Sequence, residues 1–177
     1  SQKLINKNIR KDFPKINKTK LKEISSGMWN NYGRIFSEYM FIKRFRLEEK
    51  NSIIEIKGQK ILDKIKYSNK PVIFISGHFS YFELMAMHIE KSGIKLSAIY
   101  RPLNNKYLNQ IMESIRKQFI CKNQIKKGIG GIKELVRLHK KNYSTALMID
   151  QRVSEGIKSN FFNEKALTTT IPAQLIK

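Results

Sequence analysis

The chain has 177 residues, 41% of them hydrophobic and 28% charged, which excludes a disordered polypeptide and suits one α/β domain with its own core rather than two. Its 35 Lys and Arg against 14 Asp and Glu give a net charge of +21, which calls for an anionic partner: nucleic acid, a phospholipid surface, a phosphorylated glycolipid or an acidic carrier protein. A lone cysteine, Cys121, excludes an intrachain disulfide, and no apolar run approaches the roughly 18 residues of a membrane span.

In chain order, the first predicted element is an amphipathic helix. Leu21, Ile24, Met28, Tyr32, Ile35, Phe36 and Tyr39 recur at three- and four-residue spacing, with Thr19 as the expected N-cap and Pro14 upstream. Ile53 to Ile56 fits a short strand or a loop into Gly58, and a helix over 59–66 follows. Pro71-Val72-Ile73-Phe74-Ile75 is a continuous apolar run and reads as a strand buried on both faces. A helix is predicted over 81–91, ended by Gly93, and Leu96 to Tyr100 is the next strand. Leu108, Ile111, Met112, Ile115 and Phe119 mark one helix, and Ile132, Leu135, Val136 and Leu138 another. Ala146 to Ile149 is a third buried strand running into Asp150, and Ile171 to Ile176 begins a last helix. Strands alternating with helices predict an α/β fold: a mostly parallel central sheet with flanking helices, preceded by an N-terminal amphipathic helical segment.

Ligands of such sheets bind beyond the carboxyl ends of the strands, which directs attention to residues 77–83, 101–105 and 150–156. The first of these places His78 after a strand and Glu83 five positions on. Within one helix that spacing is about 140° out of phase. The two side chains can meet only if His78 lies in the turn before the helix and Glu83 in its first turns. Gly77 permits such a turn, and Ser80-x-x-Glu83 has the form of a capping box. A carboxylate holding one ring nitrogen would leave the other free to act as a base. The same residues also fit a plain capping box beside a loop histidine, and the spacing alone leaves the two readings level. Asp150 ends an apolar strand, where an acid must find a partner or line a cleft; Arg101 or Arg152 could supply that partner.

Gly77-His78-Phe79-Ser80-Tyr81-Phe82-Glu83 resembles the G-H-F-G-N-W-E signature of the lipid A biosynthesis lauroyl/myristoyl acyltransferases, a form of the H-x4-D/E motif of glycerolipid acyltransferases. Tyr100-Arg101-Pro102-Leu103-Asn104-Asn105 is similar to that family's Y-R-P-x-x-N segment. Asp150-Gln151 with Gly156 and Phe161-Phe162 is similar to its D-Q…G…F-F-G block. Ala166, Thr168 to Thr170 and Pro172-Ala173 resemble the A-x-T…P-A stretch, and Asn31-Tyr32-Gly33-Arg34 with Glu38-Tyr39 an upstream N-x-G-R…E-Y element. The chain departs from the pattern at Ser80-Tyr81-Phe82 and at Asn163.

The resemblance implies a single acyltransferase domain over 1–177, expected to be an internal fragment that lacks the family's N-terminal membrane helix and C-terminal part. It implies acyl transfer from an acyl carrier protein thioester to a hydroxyl of a phosphorylated lipid A precursor, at the cytoplasmic face of a bacterial inner membrane with an anionic surface. His78 and Glu83 are the expected catalytic dyad. Phe79, Ser80, Tyr81, Tyr100, Arg101, Pro102, Asp150 and Gln151 are the expected substrate-binding residues. No cofactor beyond the thioester is expected, and no metal, since neither H-E-x-x-H nor C-x-x-C spacing occurs. A related enzyme acting on lysophospholipid is the nearer alternative. A basic nucleic-acid-binding domain is the remoter one, because the aromatics Phe74, Phe79, Tyr81 and Phe82 gather at the expected site rather than among the basic residues.

Overall fold

The computed structural model describes residues 1–47, 54–162 and 164–176; the expectations for Ile53 and Asn163 lie outside them. Two helices, α1 (Gln2–Asp12) and α2 (Lys18–Glu38), open the chain, and a 3₁₀ turn, Tyr39–Phe41, carries α2 into α3 (Ile42–Leu47). Then come α4 (Gln59–Ser68), β1 (Ile73–Ser76), α5 (Glu83–Lys91), β2 (Leu96–Tyr100) and α6 (Lys106–Ile115), which ends in a π-helical turn, Arg116–Ile120. The remainder is β3 (Asn123–Lys126), α7 (Ile129–His139), β4 (Ser144–Met148), β5 (Ile157–Phe161), β6 (Glu164–Thr168) and α8 (Ile171–Ile176).

Strands β1 to β4 form one parallel sheet in the order β1-β4-β2-β3. The α/β expectation holds. β4 is central, and Ser144 through Leu147 are all buried. Adjacent residues of a strand point to opposite faces, so Ala146 and Leu147 feed two different clusters. Ala146 packs with Ile42, Met87, Ile89, Leu96 and Ile120, supplied largely by α3, α5 and the π turn. Leu147 packs with Leu135, Leu138 and Leu175 from α7 and α8. Both faces are therefore covered, as parallel sheets require. Leu135 has no exposed surface, and truncating it to Ala is expected to cost about 2–5 kcal/mol.

Several boundaries differ from the sequence expectation. β1 exists but is an edge strand, so Ile75 is 52% exposed rather than buried on both faces. The cap of α2 is Asn17, whose side chain accepts from the Lys20 backbone N–H at 2.8 Å; Thr19 lies inside the helix. Residues 54–57 are not strand. Three elements were not anticipated: α1, β3, and the antiparallel hairpin of β5 with β6. α1 buries no residue fully and is tied down at its ends. Gln2 bonds Ser25 and accepts from the Trp29 indole N–H, and Lys11 pairs with Glu164 of the hairpin at 2.9 Å. Gly128 to Gly131 follow strand β3 and start α7. No helix among the described residues is long and apolar enough to cross a membrane.

Candidate active site

The order of the sheet makes the site. β1 and β4 are neighbours, paired in register from Ile73↔Thr145 to Ser76↔Met148, and the Ile149 N–H still bonds the Ser76 carbonyl at 3.0 Å. One step further the strands end, and Gly77-His78 faces Asp150. Gly77 is buried, and a Cβ there would sit 3.2 Å from Asp150 Oδ2 and 2.7 Å from the Phe79 ring. Only glycine lets the carboxylate come this close without displacing a neighbour.

Asp150 uses both oxygens on one residue. Oδ2 accepts from the His78 backbone N–H at 2.7 Å, and Oδ1 lies 2.8 Å from His78 Nδ1. Burial pushes the Asp150 carboxyl up, but the hydrogen bonds from the His78 backbone and ring outweigh it and hold the group below its ordinary value. The group is then an ionised carboxylate, which only accepts. Nδ1 must carry the ring proton, which leaves the lone pair on Nε2. Gln151 Nε2 lies 3.4 Å from that nitrogen, on the side where an amide N–H meets a lone pair. The edge of Phe82 packs against the imidazole, with ring centroids 4.7 Å apart.

The expected partner of His78 is therefore corrected. His78 does lie in the turn and Glu83 is the first residue of α5, as anticipated, but they do not form the hydrogen-bonded dyad. Glu83 is buried, and three donors converge on its Oε1: Arg116 Nε at 2.8 Å, Arg116 Nη2 at 2.6 Å and the Tyr39 hydroxyl at 2.5 Å. Nor does Glu83 form the capping box, because α5 begins at Glu83 itself and has no side-chain cap. Burial opposes the charge on Arg116, but the Glu83 carboxylate and Tyr39 more than offset this and raise its pKa. Tyr39 is pushed up by burial first and by Glu83 second. The Arg116 guanidinium also lies 5.8 Å from the centre of the Tyr100 ring.

The other expected residues divide. Phe79 is 79% exposed at the site's rim. Ser80 has the left-handed φ of 46°. Tyr81 is turned inward, edge-on to the rings of Tyr39 and Phe45. These three residues, with Glu38, Phe45, Ile54 and Leu84, line a cavity of about 390 Å³. Tyr100 is buried, and burial raises its hydroxyl to about 12. Arg101 is exposed after β2 and Pro102 half-buried, and Arg101 forms no hydrogen bond or ion pair among the described residues. Neither Arg101 nor Arg152 is the partner of Asp150, which is His78. Among the described residues no three metal-ligating side chains cluster.

Sequence reading missed the roles of Tyr39 and Arg116. Periodicity shows Tyr39 only as one more inward helix residue. Arg116 gave a fainter signal: it shares the helical face of Met112, Ile115 and Phe119, where an uncompensated cation has no place.

A family model described as bacterial lipid A biosynthesis acyltransferase matches residues 1–177. The chain is also similar to a lipid A biosynthesis acyltransferase 2 of Shigella flexneri, 30% identical over 63 residues. That match covers 36% of this chain and 20% of the relative's length.

Proposed function

Since the chain belongs to the bacterial lipid A biosynthesis acyltransferase family, we propose that it transfers an acyl group from a thioester to a hydroxyl of a lipid A precursor, with His78 as the general base. The observation that carries this reading is the Asp150–His78 pair at 2.8 Å, which directs the Nε2 lone pair away from the acid. Nε2 removes the proton of the acceptor hydroxyl as its oxygen attacks the thioester carbonyl. The new C–O bond forms, the C–S bond breaks, and the proton passes from the imidazolium to the departing thiolate sulfur. Asp150 fixes the tautomer and stabilises the imidazolium, the part an aspartate plays in hydrolytic triads.

Cys121 has no part in this scheme. It is buried, and its thiol is pushed up to about 12, so no thiolate is on hand for an acyl-enzyme. The backbone N–H groups of Ser80, Tyr81 and Phe82, in the turn ahead of α5, bond no acceptor among the described residues and suit a developing oxyanion. The cavity beside them, lined by Phe45, Leu84 and Tyr81, suits an acyl chain. Glu83 supports this wall from within through Arg116 and Tyr39 rather than by touching His78. The donor in this reading is an acyl carrier protein, whose acidity complements the net charge of +21. The acceptor is a phosphorylated glycolipid at the cytoplasmic face of the inner membrane.

The test is transfer of a radiolabelled acyl chain from acyl carrier protein thioester to lipid A precursor by wild type, His78→Ala and Asp150→Asn. Loss of transfer in His78→Ala, with unchanged circular dichroism, is expected. Undiminished transfer by that variant would remove His78 from the chemistry. Offering lysophospholipid in parallel identifies the acceptor.

A further inference from the structure

The run α2–α3 has two apolar faces, and the fold uses one. Ile35, Tyr39, Ile42 and Phe45 face inward and pack with the core cluster of α5. Trp29, Tyr32, Phe36, Met40 and Leu47 lie on the outside, between 50% and 84% exposed. Their spacing, with exposed Lys43 between the last two, is three or four residues throughout, so they form one continuous stripe along the helical axis. A solvated helix carries polar side chains on its outer face. This one carries a Trp, a Tyr, a Phe, a Met and a Leu.

The charge around the stripe is one-sided. From Ile24 to Leu47 the only acid is Glu38, which lines the cavity, while Arg34 and Lys43 are exposed cations and Arg46 turns inward to Glu90 of α5. α1, held beside the stripe by the Trp29–Gln2 hydrogen bond, adds Lys3, Lys7 and Arg10 against Asp12, Lys11 being paired with Glu164. A second copy of the chain would bring the same excess of cations to the contact, and like charges repel. A nucleic-acid backbone would match the cations but offer nothing to Phe36, Met40 and Leu47. Aromatic and aliphatic side chains interleaved with Lys and Arg match the boundary between lipid headgroups and acyl chains.

We propose that this stripe is the face on which the protein lies on an anionic phospholipid bilayer, with α1 and the α2–α3 run parallel to the surface. The apolar side chains enter the headgroup–acyl boundary to about 5–10 Å, and the flanking cations remain at the phosphates. The same helical run lines the cavity through Glu38 and Phe45, so docking would set the cavity next to the layer that holds a lipid substrate. The inference deepens the proposed function and rests on its lipid-borne acceptor.

Trp29 is the sequence's single tryptophan, so its emission reports on this face alone. The experiment titrates the chain with vesicles of phosphatidylethanolamine and phosphatidylglycerol, and with phosphatidylcholine vesicles as control. A blue shift is expected on the anionic vesicles, with quenching by lipids brominated near the headgroup end of their chains. Phe36→Ser combined with Met40→Ser should weaken partitioning at least about tenfold with unchanged circular dichroism. Lys43→Ala should weaken it about fivefold at low salt. His78→Ala should bind vesicles as wild type does while losing transfer, and the double serine variant should still acylate a detergent-dispersed acceptor. Failure of docking and failure of the chemistry are thereby read separately. The proposal is overturned by absence of binding, or by vesicle binding that leaves Trp29 emission unmoved and the double variant unaffected. It is equally overturned by a blue shift that follows protein concentration without lipid, or by an oligonucleotide that reproduces the shift and displaces the vesicles.

Discussion

Asp150 grips His78 at two points, the backbone N–H at 2.7 Å and ring Nδ1 at 2.8 Å, so a single side chain sets both where the histidine sits and which nitrogen is free. Replacing it by Asn keeps the size but removes the charge and permits the wrong tautomer. Asp150→Asn should lower kcat by about 10²–10⁴-fold with little change in KM. Steady-state kinetics on the thioester check this, and a variant within a factor of two of wild type would exclude Asp150 from orienting the base.

The same pair has a pH signature. Hydrogen bonds from His78 overcome the effect of burial and depress the folded-state pKa of Asp150. A depressed carboxyl stabilises the fold fully above its unfolded value, about 3.9, and the contribution is lost as pH falls through the folded value. The difference in melting temperature between wild type and Asp150→Asn should therefore shrink toward zero as pH falls below about 4. A gap that widens over that acid range would reverse the sign of the argument.

Glu83 and Arg116 predict a different phenotype. Both side chains are largely buried, and removing one leaves the other uncompensated. Glu83→Ala should lose about 3–5 kcal/mol of stability in urea unfolding, and Tyr39→Phe about 1.5–3 kcal/mol. Activity should fall in step with stability for these variants, whereas Asp150→Asn should lose far more activity than its loss of stability explains. A Glu83→Ala protein with the wild-type urea midpoint and no turnover would return Glu83 to the reaction itself.

Gly77 offers a smaller perturbation. A methyl group there requires the exposed Phe79 ring to swing aside and the Asp150 carboxylate to yield by a few tenths of an ångström. Gly77→Ala should reduce kcat roughly tenfold with a nearly unchanged melting temperature. Kinetics and calorimetry on the same preparation separate the two effects.

Local patterning revealed those parts of the fold that make their own signal. The apolar runs of β1, β2 and β4 and the periodicity of α2, α5, α6 and α7 are visible because burial selects the residue types. β3 is Asn-Gln-Ile-Lys with only Ile125 buried, and neither strand of the β5–β6 hairpin holds a fully buried residue, so none of them shows an apolar run. His78 and Asp150 were each legible as strand-end residues, but their pairing was not. Glu83 is near His78 in sequence, whereas the hydrogen-bonded partner lies 72 residues away and is brought close by the placing of β4 beside β1. Nothing in the composition of a strand names its neighbour. The Ser80–Glu83 pattern misled for a related reason, since Arg116 and Tyr39, both remote in sequence, hold the carboxylate that a capping box would have used.

The β1–β4 adjacency has a consequence for the life of the molecule. During synthesis the histidine leaves the ribosome long before its acid, and the nascent chain must complete β4 and seat it between β1 and β2 before the imidazole has a fixed proton. Until that moment the polypeptide holds an ordinary histidine. The pair is thus withheld from every nascent chain that has not yet completed β4 and reached Asp150.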